Sequence, residues 1–247
     1  KNKVDSIFGF AKRAEKETVE VTDDAGKKTK YTAKHIIVAT GARSRELPNL
    51  PIDGKKIIGY RKALTLDKLP ESMVVVGSGA IGSEFAYFYQ TIGTKVTLVE
   101  FMPTAVPNED EEVAKQLESS FKKIKMNVLT SSSVEKVDTS GDKCKVTIKT
   151  KKGEEVVEAD IVLSAVGITP NTEGIGLEEM KVVTENGRVK VDEFYLTNVE
   201  GIYAIGDIID GPALAHVASA EGIVCIEKIA GLNPEPINDG NIPGCTY

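Results

Sequence analysis

The sequence predicts an α/β protein built on parallel strands, and three observations carry that expectation. Met73–Glu100 (MVVVGSGAIGSEFAYFYQTIGTKVTLVE) reads as strand, tight turn, helix, turn and strand. Short apolar runs bounded by glycine recur, too short for helices and apolar throughout, as buried parallel strands are. Ala33–Gly41 (AKHIIVATG) and Ala159–Gly167 (ADIVLSAVG) repeat one pattern, each after a predicted β meander. Together they predict two modules of one plan, of which one is complete.

Met73–Val76 is the first strand of the complete module. Gly77, Gly79 and Gly82 then form G-x-G-x-x-G with Ser78, Ala80 and Ile81 between them. The first glycine lets the chain turn sharply, the second clears space for a pyrophosphate beside the backbone, and the third lets the helix pack closely. The helix is expected to bury Ile81, Phe85, Phe88 or Tyr89, and Ile92, spaced by three and four residues. Gly93 ends it, Thr94–Val99 is the second strand, and Glu100 closes that strand. A carboxylate there accepts from adenine-ribose hydroxyls and repels a 2′-phosphate, so the stretch predicts NAD rather than NADP. No Arg or Lys follows before Lys115 to hold such a phosphate.

Composition is that of an ordinary globular chain, with 41% hydrophobic and 28% charged residues, and the 247 residues allow one large or two modest domains. A formal charge of −6 without a sustained basic run argues against nucleic acid as a partner. No apolar stretch reaches the ~18–20 residues of a membrane span. Cys144, Cys225 and Cys245 are far apart and form no C-x-x-C, so reduced thiols and a cytoplasmic setting are expected. His35 and His216 are too few and too distant for a metal site.

Taken in order, Val19–Val21 and Lys30–Ala33 are expected to pair around an Asp-Asp-Ala-Gly turn. His35–Ala39 is an apolar strand ending at Thr40-Gly41, and the Pro- and Gly-rich stretch to Pro70 reads as a connection. Beyond Glu100, the acids Glu109–Glu112 start a helix whose expected stripe is Val113, Leu117, Phe121 and Ile124. Met126–Leu129 is a strand; Val134–Val137, Lys145–Lys149 and Glu155–Val157 form a meander; Ala159–Ala165 is a further strand. Gly201–Asp207 is a strand ending in an acid, and Ala213–Ile229 a helix that can bury Val217, Ala220, Val224 and Ile226. The implied domains are 1–69, 70–194 and 195–247, the first and last belonging to one partial module. Gly41 falls so early that the first module's own fingerprint is expected upstream of Lys1, and both ends read as cuts in a longer chain.

Ala39-Thr40-Gly41, the 77–82 fingerprint followed by Glu84, the Gly167-x-x-Pro170-Asn171-Thr172 turn and Gly206-Asp207 occur here in one order and spacing. In this the chain resembles the flavin- and NAD-dependent disulfide reductases over essentially its whole length. Within them, Leu214-Ala215-His216 with Ala218 and Glu221-Gly222, and Val99-Glu100-Phe101, resemble the members that oxidise dihydrolipoamide. Ile168 departs from the Arg common in the family after the glycine at Gly167 and leaves NADH oxidases or mercuric reductases as neighbouring readings, and a non-catalytic NAD-binding module is the rival of another class.

The resemblance implies a flavoprotein plan of two dinucleotide-binding domains, a full NAD module with its meander, and part of an FAD module. It implies an NAD site of Gly77, Ser78, Gly79, Ala80, Ile81, Gly82, Glu84 and Glu100, bordered by Val134 and Gly167 through backbone and apolar contact. Glu84 would sit where nicotinamide meets flavin and pair with a family Lys, the one catalytic candidate. For FAD it implies Thr40, Gly41 and Ala42 near the diphosphate, and Ala11, in a Gly9-Phe10-Ala11 turn, near the adenine. Asp207 would hold the ribityl chain, and the helix start at Ala213, Leu214, Ala215 and His216 would face the flavin ring, His216 mattering for its backbone. The whole enzyme is expected to be a homodimer that acts on dihydrolipoamide carried by the acyltransferase component of 2-oxo acid dehydrogenase complexes. These 247 residues hold no C-x-x-x-x-C pair, and this piece is expected to be inactive alone.

Overall fold

A computed structural model describes residues 3–15 and 17–246. The chain forms two compact units, Ser44–Ile168 with Gly244–Tyr247, and Lys1–Arg43 with Thr169–Pro243. These limits differ from 69/70 and 194/195. The Pro-rich 44–69 stretch is not a free connection, because Ile57–Ile58 adds a strand to the first unit's sheet and Leu50 and Ile57 are buried there.

In the 44–168 unit a five-stranded parallel sheet runs in the order Ile57–Ile58, Ile161–Ser164, Ser72–Val76, Lys95–Val99, Asn127–Leu129. Alternation along each strand sorts side chains to two faces. Val74, Val76, Val99 and Val162 meet the antiparallel meander of Ser133–Asp138, Cys144–Thr150 and Gly153–Ala159. Met73, Val75, Val96, Leu98 and Leu163 meet the helices Ala80–Thr91 and Glu111–Lys123. Both faces are covered, which explains why these strands read as unbroken apolar runs.

Both helices keep most of their expected stripes, Phe85 and Tyr89 on the first and Leu117, Phe121 and Ile124 on the second packing on the core, but each is turned slightly, so that Phe88, Ile92 and Val113 are exposed. Ala80–Thr91 buries Gly82, Ser83, Ala86 and Tyr89, so small residues set the contact and the helix lies close to the sheet. The Tyr89 hydroxyl locks this rotation by donating to the Ala63 carbonyl at 2.5 Å. Phe88 (52% exposed) and Ile92 instead line an open apolar cleft of about 460 Å³ with Leu64, Leu66, Leu69 and Phe85. Glu111–Lys123 buries Ala114 and Phe121 and leaves Val113 exposed. Its N-cap is Asp110, which accepts from the Glu112 N–H at 2.8 Å.

In the other unit, Phe10–Glu15, Thr18–Thr22 and Lys28–Thr32 form an antiparallel meander. Ile36–Val38 follows and pairs in parallel with Ile202–Ala204. The repeat seen in sequence is therefore a repeat of structure. Each copy of the motif is a strand that follows a three-stranded meander, and Gly41 and Gly167 both have positive φ (+66° and +110°). The helix Ala215–Ile229 buries Val217, Glu221, Val224 and Cys225, while Ile226 is exposed. Among the described residues no helix is long and apolar enough to cross a membrane, and no group of His, Cys, Asp and Glu could hold a metal ion.

Candidate functional site

The parallel sheet creates the site by where its strands end. Val76, Val99, Leu129 and Ser164 are neighbours in register, so the turns after them share one edge. From Ser72–Val76 the chain winds outward through Lys95–Val99 and Asn127–Leu129, then returns to Ile161–Ser164 on the other side. The strand order thus reverses at Gly77, where open α/β sheets bind ligands.

The three fingerprint glycines have separable reasons. Gly77 has φ +94°, and a Cβ on it would lie 2.4 Å from the Ala165 carbonyl oxygen. A Cβ on Gly82 would lie 1.9 Å from the Gly77 carbonyl oxygen, so the helix is pressed onto the turn as well as the sheet. A Cβ on Gly79 would meet nothing within 4 Å. Gly79 is the N-cap of the 80–91 helix and has no side chain to cap it, so the first-turn N–H groups of Ala80, Ile81 and Gly82 have no intrahelical acceptor, and a helix start of this kind suits an anion. Open space and an uncapped helix start at the second glycine fit a pyrophosphate.

Glu100 stands at the end of the adjacent strand and is only 6% exposed. Its Oε2 accepts from the Ser78 backbone N–H (2.8 Å) and the Ser78 hydroxyl (2.7 Å), and its Oε1 from the Met102 N–H (2.7 Å). The structure thus joins Gly77–Gly82 to Glu100 directly. Gly167 lies exposed beyond the 161–164 strand, its carbonyl accepting from the Arg45 N–H at 3.0 Å. Val134 is buried among the residues between sheet and meander, and its carbonyl accepts from Asn49 Nδ2 at 2.5 Å. Glu84 is half-buried in the second turn of the helix, beside the apolar cleft.

In the other unit, Ala39–Gly41 and Ile205–Asp207 leave adjacent parallel strands at the same end. The Thr40 hydroxyl donates to the Asn171 carbonyl (2.6 Å), Asn171 Nδ2 to the Thr40 carbonyl, and the Asn171 N–H to the Gly41 carbonyl. Ala42 is buried. Asp207 sits in a 3-10 turn, Gly206–Ile208, packed on the first turns of the 215–229 helix. Leu214 caps that helix by its backbone, and Ala213, Ala215 and His216 are exposed at its start. Ala11 is not in a turn: it lies in the Phe10–Glu15 strand opposite Val21. Phe10 to Arg13 pairs residue for residue with Val19 to Thr22, and this continuous register leaves no turn at Ala11.

Two residues that hold the Asp207 turn were not expected. Glu221 Oε2 accepts from the Gly206 N–H at 2.6 Å, and Arg188 donates to the Ile209 carbonyl at 2.5 Å and the Asp207 carbonyl at 3.5 Å. The spacing Val217, Glu221, Val224 was the available signal, since it sets a charged residue on a buried stripe. Burial pushes the Glu221 carboxyl above its ordinary 4.5, the Gly206 N–H pulls it down, and the Asp239 and Asp207 charges push it further up, leaving it raised. A raised carboxyl contributes stability that is fully present below about pH 4.5 and is lost as pH rises through the folded value. Glu221→Gln keeps the acceptor for Gly206 and stays neutral. Its melting temperature relative to the parent should therefore climb as pH is raised from 4 toward 8, and a pH-independent difference would contradict this.

The geometry defines an α/β dinucleotide-binding protein of two related modules. The chain belongs to the pyridine nucleotide-disulphide oxidoreductase family, whose match covers residues 1–222. Among its relatives, a dihydrolipoyl dehydrogenase from Rhizobium etli is 46% identical over all of this chain and 55% of its own length. A mitochondrial dihydrolipoyl dehydrogenase from Pisum sativum is 41% identical over all of this chain and 50% of its own length. The crystal structure of LpdA from Mycobacterium tuberculosis superposes with a TM-score of 0.82 at 33% identity, covering 95% of this chain and 50% of that one. The chain spans about half the length of the curated relatives it matches.

Proposed function

We propose that this chain carries the NAD(H) site and part of the FAD site of a flavoprotein that oxidises dihydrolipoamide to lipoamide while reducing NAD⁺ to NADH. The observation that supports it most is the junction of an open Gly79 turn with a carboxylate, Glu100, at the next strand end. In this reading the turn of Gly77, Ser78, Gly79, Ala80, Ile81 and Gly82 takes the pyrophosphate on the helix start that follows Gly79, while the Gly77 and Ser78 N–H groups hold the turn through the Val99 carbonyl and Glu100, and Glu100 takes the adenine ribose. Ile81 lies over the nicotinamide pocket, with Gly167 and the backbone of Val134 at its border. Glu84, half-buried in the second turn of the same helix, is the catalytic candidate of this module. Thr40, Gly41, Ala42, Asp207 and the helix start at 213–216 would hold FAD, which when bound accepts two electrons and passes them on as hydride. The carboxylate of Asp207 can accept from ribityl hydroxyls, and the helix N-terminus favours negative charge on a ring beside it. The full-length protein would act as a homodimer on the lipoyl group of the acyltransferase component in 2-oxo acid dehydrogenase complexes. Cys144 and Cys225 are buried free thiols, in keeping with a reducing, cytoplasmic setting.

The 247-residue chain should bind NADH in a calorimetric titration and prefer it to NADPH. It should not turn over dihydrolipoamide with NAD⁺, because these residues include no C-x-x-x-x-C pair to accept the electrons. Steady NADH production by the purified chain would overturn that assignment of roles.

A further inference from the structure

Ser78 occupies the first variable position of the fingerprint and is fully buried. A carboxylate offers about four acceptor positions. Of those on Glu100, Ser78 fills both at Oε2, one with its N–H and one with its hydroxyl, and Met102 fills one at Oε1. Ser78 is itself held: its hydroxyl accepts from the Val106 N–H (3.2 Å), and its carbonyl accepts from the Ser83 hydroxyl (2.8 Å) and the same N–H (3.1 Å). The backbone N–H would be present with any residue at position 78. The hydroxyl is the part that the side chain decides. It completes the pairing at Oε2 and leaves the open acceptor position on Oε1.

We propose that Ser78 is a positioning residue for nucleotide selection. Its hydroxyl fixes the Glu100 carboxylate so that Oε1 receives an adenine-ribose hydroxyl and the negative charge stays where a 2′-phosphate would fall. This rests on the reading of Gly77–Glu100 as the NADH site. A glycine-rich turn alone would bind both NADH and NADPH through their common pyrophosphate. Ser78 couples that turn to the group that tells the two apart.

The test is a set of four proteins, the parent chain, Ser78→Ala, Glu100→Ala and the double variant, titrated with NADH, 2′-deoxy-NADH and NADPH. Ser78→Ala should weaken NADH about tenfold, the size of one hydrogen bond to a charged group. It should leave 2′-deoxy-NADH and NADPH within about twofold, and it should cost nothing further when Glu100 is already Ala. Ser78→Gly, which also lacks the hydroxyl, should behave as Ser78→Ala does. A purely structural role would weaken all three nucleotides alike and would add to the Glu100→Ala loss, and either result overturns the proposal. Parent-like NADH affinity and selectivity in Ser78→Ala, with Glu100→Ala impaired, overturns it while sparing the NADH site. Failure of the parent to bind NADH, or of Glu100→Ala to weaken it, removes the site itself and this proposal with it.

Discussion

Gly82→Ala should destabilise the 44–168 unit by more than about 3 kcal/mol, while Gly79→Ala should fold normally and lose most of its NADH affinity. The two substitutions are chemically the same and three residues apart. At position 82 the new methyl would sit 1.9 Å from the Gly77 carbonyl oxygen and 3.2 Å from the Ala165 Cβ. The obstacle is backbone, so no rotamer change relieves it and the helix must lift from the turn. Replacing Gly by Ala in a helix gains at most about 1 kcal/mol of propensity, which is too little to offset such a clash. At position 79 φ is −61° and ψ −178°, which Ala adopts without strain, and nothing lies within 4 Å. The methyl then occupies the space proposed for the pyrophosphate, and overpacking there costs about 1–3 kcal/mol of binding, or roughly 5- to 150-fold. Thermal melts and NADH titrations of both variants check this. A Gly79→Ala protein that binds NADH as the parent does would move the pyrophosphate elsewhere.

Glu100→Ala should weaken NADH by about 1–3 kcal/mol, roughly 5- to 150-fold, and should not weaken NADPH. The loss is that of a hydrogen bond from a neutral hydroxyl to a charged acceptor. The absence of a loss for NADPH follows because the same carboxylate repels a 2′-phosphate. Removing Glu100 also leaves the buried Ser78 N–H without its acceptor, at a folding cost of about 1–3 kcal/mol, and frees the part-buried Met102 N–H. A general loss of folding would lower both affinities together. Opposite responses to NADH and NADPH separate recognition from stability, and equal losses would count against the ribose role.

The strands of the 72–164 sheet, the turn and the 133–159 meander were legible in the sequence because their signals are local, whereas of the first meander only Thr18–Thr22 and Lys28–Thr32 were, and Phe10–Glu15 was not. Val74 and Val76 face one layer and Met73 and Val75 the other, so the run had to be apolar throughout, and glycine follows it at position 77, where φ is +94°. The helix faces were less legible. Phe88 and Ile92 belong to the apolar stripe yet are exposed, while Gly82, Ser83 and Ala86 join Tyr89 on the buried face, because close approach of the helix to the sheet selects small residues there. Val113 gave way to Ala114 on the next helix in the same manner. The limits of the compact units were hidden because Ile57–Ile58 is only two residues long, and pairing with Ile161–Ser164 decides its place. In the candidate site the residue types were readable and their couplings were not. Ser78 and Glu100 are far apart in the chain, and only the parallel register brings them into hydrogen-bonding distance.

The central claim is that nucleotide binds across the Gly77–Gly82 turn and Glu100. Amide chemical-shift mapping during an NADH titration tests it most directly, since four of the turn's N–H groups and that of Glu100 give separate signals. The account predicts saturable shifts at Ser78, Gly79, Ala80, Gly82 and Glu100 with one common affinity, and weaker binding of NADPH through the same turn. Shifts that leave these residues unmoved while NADH binds would contradict it.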